Sequence, residues 1–189
     1  MKIITGSAKG MNLQTLEGDA TRPTSQRVKE AVFSMIQFDI ENSTVLDIFA
    51  GSGQLGLEAL SRGAKKATLC DLSRDAVDVI IANAKKARLF EKCRVSCCDY
   101  KQLIRGMAGK EKYDIIFIDP PYKDKIIPDA LQKLLEAKIV TENTIIICES
   151  AEENIFSGDS ELATKFEIVK HSKYSISHIT ILNPILSEE

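Results

Sequence analysis

No apolar run in the 189 residues approaches the ~18–20 needed to cross a bilayer, and the N-terminus lacks the long apolar stretch of a secretory signal. A cytoplasmic protein with no membrane role is therefore expected. Cysteine pairs are missing too. Cys70, Cys93, Cys97, Cys98 and Cys148 contain no Cys-x-x-Cys spacing, and no histidine stands at a zinc-finger distance. They fall mostly in strand-like runs, so buried free thiols in a reducing compartment are expected, and no metal site. Excess charge of one sign is absent as well: the formal net charge is -2, which gives no whole-protein nucleic-acid footprint. Internal repeats and low-complexity segments are absent. The only histidines, His171 and His178, lie in the C-terminal stretch and read as surface or strand residues.

What is present is ordinary globular material, with 44% hydrophobic and 28% charged residues, enough for one α/β domain and a small appendage. Charge is uneven along the chain. Lys2, Lys9, Arg22, Arg27 and Lys29 face only Glu17 and Asp19 up to residue 29, so a basic N-terminal face could meet phosphates.

Lys2 to Gly6 and Met11 to Leu16 read as two short strands around Ser7-Ala8-Lys9-Gly10, an N-terminal β-hairpin appendage over residues 1–20. Residues 21–189 read as a single compact domain. Thr21-Arg22-Pro23-Thr24 is an extended linker, since Pro23 biases Arg22 away from helix. Val28, Ala31, Val32, Met35 and Ile36 then mark one face of a helix. Strands are predicted near 44–48, 66–71, 94–98, 113–118 and 144–148. Helices lie between them over 55–61, 73–87, 100–105 and 126–137, with Gly63 ending the first and Ser73 capping the second. Phe166 to His171 and Ile176 to Leu182 break the alternation as a terminal antiparallel hairpin turning around Lys173-Tyr174. The fold class is α/β: a doubly wound, mostly parallel seven-stranded sheet, with ligands bound at the carboxyl ends of its strands.

The centre of the chain is Thr44-Val45-Leu46-Asp47-Ile48-Phe49-Ala50-Gly51-Ser52-Gly53-Gln54-Leu55-Gly56, which reads as strand, tight loop and helix. Gly51-x-Gly53-x-x-Gly56, with Asp71 about 20 residues on, satisfies the dinucleotide fingerprint and by itself does not choose a cofactor. Asp47 weighs against a pyrophosphate, because it would set negative charge beside negative charge. An acid there suits a cofactor with a cationic amino-acid end, such as S-adenosylmethionine. Asp71 can then accept from the ribose hydroxyls and Asp99 from the adenine amino group. Asp47, Asp71, Asp99 and Asp119 all stand at or just past strand ends, although any one of them could be a helix cap.

Asp119-Pro120-Pro121-Tyr122 follows the most apolar strand. An exocyclic base amine is a poor nucleophile because its lone pair is delocalised into the ring. Hydrogen bonds from that amine to the Asp119 carboxylate and the Pro120 carbonyl would favour pyramidalisation, and the paired prolines hold the acceptors rigid. Tyr122 can stack on the base. Arg22, Thr24 and Arg27 are candidates for substrate phosphates.

With these motifs in view, the sequence resembles the bacterial 16S rRNA guanine-N2 methyltransferases of the class I, Rossmann-like fold. The resemblance rests on Ile3-Ile4-x-Gly6, Lys9-Gly10, Arg22-Pro23-Thr24, Arg27-Val28-Lys29-Glu30, the glycine loop, Leu55-Gly56-Leu57-Glu58-Ala59-Leu60-Ser61-Arg62-Gly63 and Asp119-Pro120-Pro121-Tyr122. It implies methyl transfer from S-adenosylmethionine to the N2 of a guanine in 16S rRNA, within the small ribosomal subunit or its assembly intermediate, by a monomer. It implies catalytic roles for Asp119, Pro120, Pro121 and Tyr122. The cofactor residues it implies are Asp47, Phe49, Ala50, Gly51, Gly53, Gly56, Asp71, Leu72, Asp99 and Tyr100; for substrate they are Arg22, Thr24, Arg27 and Tyr122. An amino-methyltransferase acting on DNA or protein glutamine, and a non-catalytic RNA-binding assembly factor, are the competing readings.

Overall fold

A computed structural model describes residues 1–16, 26–121 and 126–186. Arg22, Thr24 and Tyr122 lie outside the described residues. Seven strands form one sheet: β1 (Thr44–Asp47), β2 (Lys66–Asp71), β3 (Cys93–Cys97), β4 (Ile115–Ile118), β5 (Ile145–Ser150), β6 (Phe166–Tyr174) and β7 (Ser177–Pro184). Their order is β3-β2-β1-β4-β5-β7-β6, with β7 antiparallel to both neighbours and the other pairs parallel. The helices are α1 (Gln26–Met35), α2 (Gln54–Ser61), α3 (Arg74–Lys86), α4 (Tyr100–Met107), α5 (Ile126–Glu136) and α6 (Ser160–Ala163).

Side chains alternate across each strand, so the sheet sorts the apolar residues into two layers. Val45, Leu69, Phe117 and Ile147 pack with Val32, Phe33, Leu57 and Ile80 of α1, α2 and α3. Leu46, Cys70, Ile116 and Ile146 pack with Leu103, Ile104, Leu131 and Leu134 of α4 and α5. Strands covered on both faces read as continuous apolar runs, which is why Ile115–Ile118 is buried throughout. The chain winds outward through β1, β2 and β3 with one set of helices, then returns to β4 and β5 with the other. The reversal falls between β1 and β4, where a doubly wound sheet opens its ligand crevice.

The N-terminal segment folds back on itself around one antiparallel bridge, Lys2 to Asn12, with Ile3 N–H donating to Met11 O at 3.0 Å, Leu13 N–H to Met1 O at 2.8 Å and Gly10 N–H to Ile3 O at 2.9 Å. Past that bridge the chain lies on α2. Ile4 N–H and Thr5 N–H donate to the Glu58 carboxylate at 2.8 and 3.0 Å, and Ser7 N–H donates to Ser61 O at 2.7 Å. This close approach explains Gly6, whose φ is +87° and whose added Cβ would sit 1.7 Å from Ser61 O. Ile3 and Leu13 are buried in the α1–α3 layer.

Lys29 does not belong to a basic surface. It is 1% exposed and pairs with Glu58, itself 0% exposed, at 3.2 Å. Burial pushes its pKa down despite that carboxylate. The cysteine expectation also needs correction: Cys70 and Cys148 are buried free thiols, whereas Cys93 and Cys98 are half-buried and Cys97 is exposed. β3 is an edge strand, so its residues lack a neighbour on one side. The terminal hairpin turns at Ser175 and Ile176 rather than at Lys173-Tyr174, with Ser175 at φ 57°. His171 is exposed on β6, but His178 on β7 is 6% exposed, their ring nitrogens 3.1 Å apart. α6 is too short to show a helical period in sequence; its start is set by Asp159, whose carboxylate accepts from Leu162 N–H. Among the described residues no helix is long and apolar enough to cross a membrane.

Candidate active site

The four acids singled out in the sequence stand at or just past the carboxyl ends of four neighbouring strands, in the order β3-β2-β1-β4. β1 ends at Asp47, which lies between Leu69 of β2 and Phe117 of β4. The chain then turns. Ala50 N–H donates to Cys70 O at 2.8 Å, and Cys98 N–H to Asp71 O at 3.1 Å, so the tips of β1, β2 and β3 are stitched side by side.

Asp47 is the most unusual group in this crevice. It is 1% exposed, and neither carboxylate oxygen has a hydrogen-bond partner. Burial pushes its pKa up to about 7, and the charge of Asp71 adds to the rise. The Phe49 and Gly56 amides oppose it, lying near enough to favour the anion but without hydrogen-bond geometry. A buried carboxylate without a partner is costly to ionise, and the cost falls when a cation is seated against it. The chain itself supplies no such cation to Asp47 among the described residues.

The loop that follows is shaped by its glycines. Gly51 (φ 54°) and Gly53 (φ 81°) are left-handed, and no atom lies within 4 Å of a Cβ placed on Gly51, so its backbone borders open space. Gly53 is the N-cap of α2 and has no side chain to close the helix end. The third glycine works differently: a Cβ on Gly56 would sit 2.0 Å from Leu69 Cδ2, so Gly56 lets α2 lie close on β2. Asp71 accepts from Gly51 N–H at 2.8 Å and from Ser73 N–H at 2.9 Å, which pins the loop to β2 and starts α3. Each carboxylate oxygen keeps a further acceptor direction. Leu72 beside it is 72% exposed.

Asp99 is the N-cap of α4, accepting from Lys101 N–H at 2.8 Å, so the helix-cap role and a ligand role fall on one carboxylate. Tyr100 packs its ring 5.0 Å from Phe49 and donates its hydroxyl to Asp129 of α5 at 2.5 Å. Burial and the adjoining Asp129 charge push the Tyr100 pKa up. For Asp129 burial acts upward, but the Tyr100 hydroxyl, Lys133 and Lys101 together hold it below the usual carboxylate range. Phe49, Ala50, Asp71, Asp99 and Tyr100 therefore stand at or just past the tips of the neighbouring strands β1, β2 and β3, with Phe49 and Tyr100 in ring contact.

Asp119 and Pro120 follow β4 directly, the former half-buried and the latter buried, while Pro121 is exposed. They sit beside the Asp47 tip because β4 is the neighbour of β1. Arg27 is exposed in the first turn of α1.

Sequence reasoning passed over the residues that brace this crevice. Asn83 is 0% exposed in the middle of α3 and donates to Ser52 O at 2.9 Å and Gln14 O at 3.1 Å, while Gln14 N–H donates to it at 2.8 Å. It thereby joins the glycine loop to the N-terminal segment. Glu58 holds Ile4, Thr5, Lys29 and Arg62 around one carboxylate. The available signal was a polar residue on the apolar side of each helix, Asn83 between Ile80 and Ala84, and Glu58 beside Leu57.

The crevice fits S-adenosylmethionine. An orphaned buried carboxylate suits its cationic methionine end, and the Gly51 backbone on open space allows close approach.

The profile of the family described as "Conserved hypothetical protein 95" matches residues 1–183. The Bacillus subtilis (strain 168) protein YlbH is 36% identical over 150 residues, 79% of this chain and 82% of the relative. "Ribosomal RNA small subunit methyltransferase D" of Escherichia coli (strain K12) is 32% identical over 159 residues, 82% of this chain and 76% of the relative. The solved Escherichia coli protein yhhF superimposes with a TM-score of 0.85 at 27% identity, covering 97% of each chain.

Proposed function

The chain belongs to the conserved hypothetical protein 95 family, and from that membership we propose that it methylates ribosomal RNA, using S-adenosylmethionine to modify the exocyclic N2 of a guanine in 16S rRNA within a small-subunit assembly intermediate. The observation that carries the reading is the crevice at the strand tips, where the partnerless Asp47 and the Asp119-Pro120 turn stand side by side. S-adenosylmethionine, when bound, supplies an electron-poor methyl group carried on a sulfonium.

The chain's own residues do the rest. Asp47 holds the cationic end of the cofactor, and the Gly51 and Gly53 backbone admits it. Asp71 binds the ribose hydroxyls through its spare acceptor directions. Asp99 and the Phe49–Tyr100 pair border the adenine. Asp119 accepts one N–H of the guanine amine and the Pro120 carbonyl accepts the other, which draws the nitrogen toward a pyramidal geometry and aims its lone pair outward. Asp119 then receives the proton that N2 sheds as it gains the methyl. This is catalysis by positioning and electrostatics. Arg22, Thr24 and Arg27 contact substrate phosphates, and Tyr122 stacks on the base.

The test is incubation of the protein with radiolabelled S-adenosylmethionine and either small subunits or bare rRNA from a strain lacking the gene, followed by mapping of the modified nucleotide. Label on one guanine N2 supports the reading, and stronger labelling of assembled particles supports the assembly-stage substrate. No label in either RNA, with the cofactor bound, would favour a non-catalytic RNA-binding role. Label on DNA or protein would overturn the rRNA assignment.

A further inference from the structure

A second carboxylate borders the Asp119 turn. β4 and β5 run parallel with Ile118 opposite Cys148 as the last paired residues, so one step further along Asp119 comes beside Glu149. Phe117 and Ile147 both pack on the α1–α3 side of the sheet, and two residues on, Asp119 and Glu149 fall on that same side. Glu149 is 9% exposed, while Pro121 two residues past Asp119 is open to solvent. Asp119 and Glu149 each have an interaction within the protein, and because a carboxylate offers about four acceptor directions, such a partner leaves room for a base.

We infer that Glu149 is a specificity-determining residue that reads the N1–H of the target guanine while Asp119 engages its N2 amine. The inference rests on the guanine-N2 reading above. Guanine presents N1–H and the N2 amine side by side, an all-donor edge that two adjoining carboxylates match. Adenine presents a lone pair at N1, which would face the Glu149 carboxylate with acceptor against acceptor. The Asp-Pro-Pro-Tyr turn by itself does not make this distinction, because any planar amine satisfies it. Glu149 belongs to another strand and reaches the turn only through sheet pairing.

The experiment compares two rRNA substrates, assembled by ligation, with either guanine or 2-aminopurine at the mapped target position. 2-Aminopurine keeps the reacting 2-amine but has a lone pair in place of N1–H. The wild type should prefer guanine by a kcat/KM ratio on the order of 10⁴, the discrimination seen when a buried group loses its hydrogen-bond donor. Glu149→Gln can turn its carboxamide N–H₂ toward the N1 lone pair, so the ratio should fall at least tenfold, with S-adenosylhomocysteine affinity unchanged. Glu149→Asp keeps the charge and should retain the sign of the preference. An equal loss on both substrates in Glu149→Gln would reduce Glu149 to a structural role and overturn the inference. A wild type that methylates guanine but accepts 2-aminopurine equally well also overturns it, whether or not the variants fold. A wild type that methylates no guanine overturns instead the reading beneath it.

Discussion

Replacing Asp47 by asparagine should stabilise the cofactor-free protein at alkaline pH while weakening cofactor binding. Asp47 is held at a pKa of about 7 against an ordinary 3.8, chiefly by burial. The folded state therefore retains a proton that the unfolded chain has already released, and stability falls as pH rises from about 4 to 7. Above that window the loss reaches its full value, roughly 4 kcal/mol for a displacement of this size. For a chain of 189 residues that corresponds to roughly 8–16 °C in Tm. Asparagine cannot ionise, so its Tm relative to wild type should climb between pH 3 and pH 8, most of it between about 4 and 7. At pH 3, where Asp47 is protonated in the folded and the unfolded chain alike, the two should nearly coincide, and by pH 5 about a third of the difference should be present. Thermal melts of both proteins across this range give the comparison. Calorimetry of S-adenosylmethionine binding in buffers of different ionisation enthalpy gives a second: a cation seated on Asp47 should expel about half a proton at pH 7 and most of one at pH 6, and none from the variant. A pH-independent Tm difference, or identical proton release from both proteins, would refute the account of Asp47 as an uncompensated buried acid awaiting a cation.

Asp119→Ala should leave S-adenosylhomocysteine affinity within a few-fold and nearly abolish methyl transfer; turnover at the wild-type rate would remove Asp119 from the reaction. Glu58→Ala strands Lys29 in the interior and frees the Ile4 and Thr5 amides, so urea unfolding should show a loss of about 3–5 kcal/mol. Gly56→Ala would drive a Cβ to 2.0 Å from Leu69, with an expected cost of about 1–3 kcal/mol in the same assay, and Leu69→Ala in the same chain should recover part of it.

The sequence by itself determined the alternation of strands and helices and the residues at the strand tips. Those signals are local. An apolar run ending in an acid marks a strand end whatever lies beside it, so Asp47, Asp71, Asp99 and Asp119 were legible one by one. Gly51 and Gly53 were legible because a sharp turn needs residues that tolerate positive φ. The third glycine of the fingerprint was legible as a motif, but its reason, contact with Leu69 of another strand, was not. Tertiary structure alone decided which of these elements stand side by side. The N-terminal turn is anchored beyond its own cross-pairing by Glu58 and Ser61, more than fifty residues away, which bond the backbone of Ile4, Thr5 and Ser7. Lys29 counted as a surface cation until the packing of α1 on α2 turned it inward. Asn83 joining Ser52 to Gln14, Tyr100 reaching Asp129, and Glu149 arriving beside Asp119 all depend on pairings between distant parts of the chain. Hydrophobic periodicity reports only whether a side chain faces inward. The identity of what it meets there follows from the strand order β3-β2-β1-β4-β5-β7-β6, which is set when the two apolar layers close on the sheet.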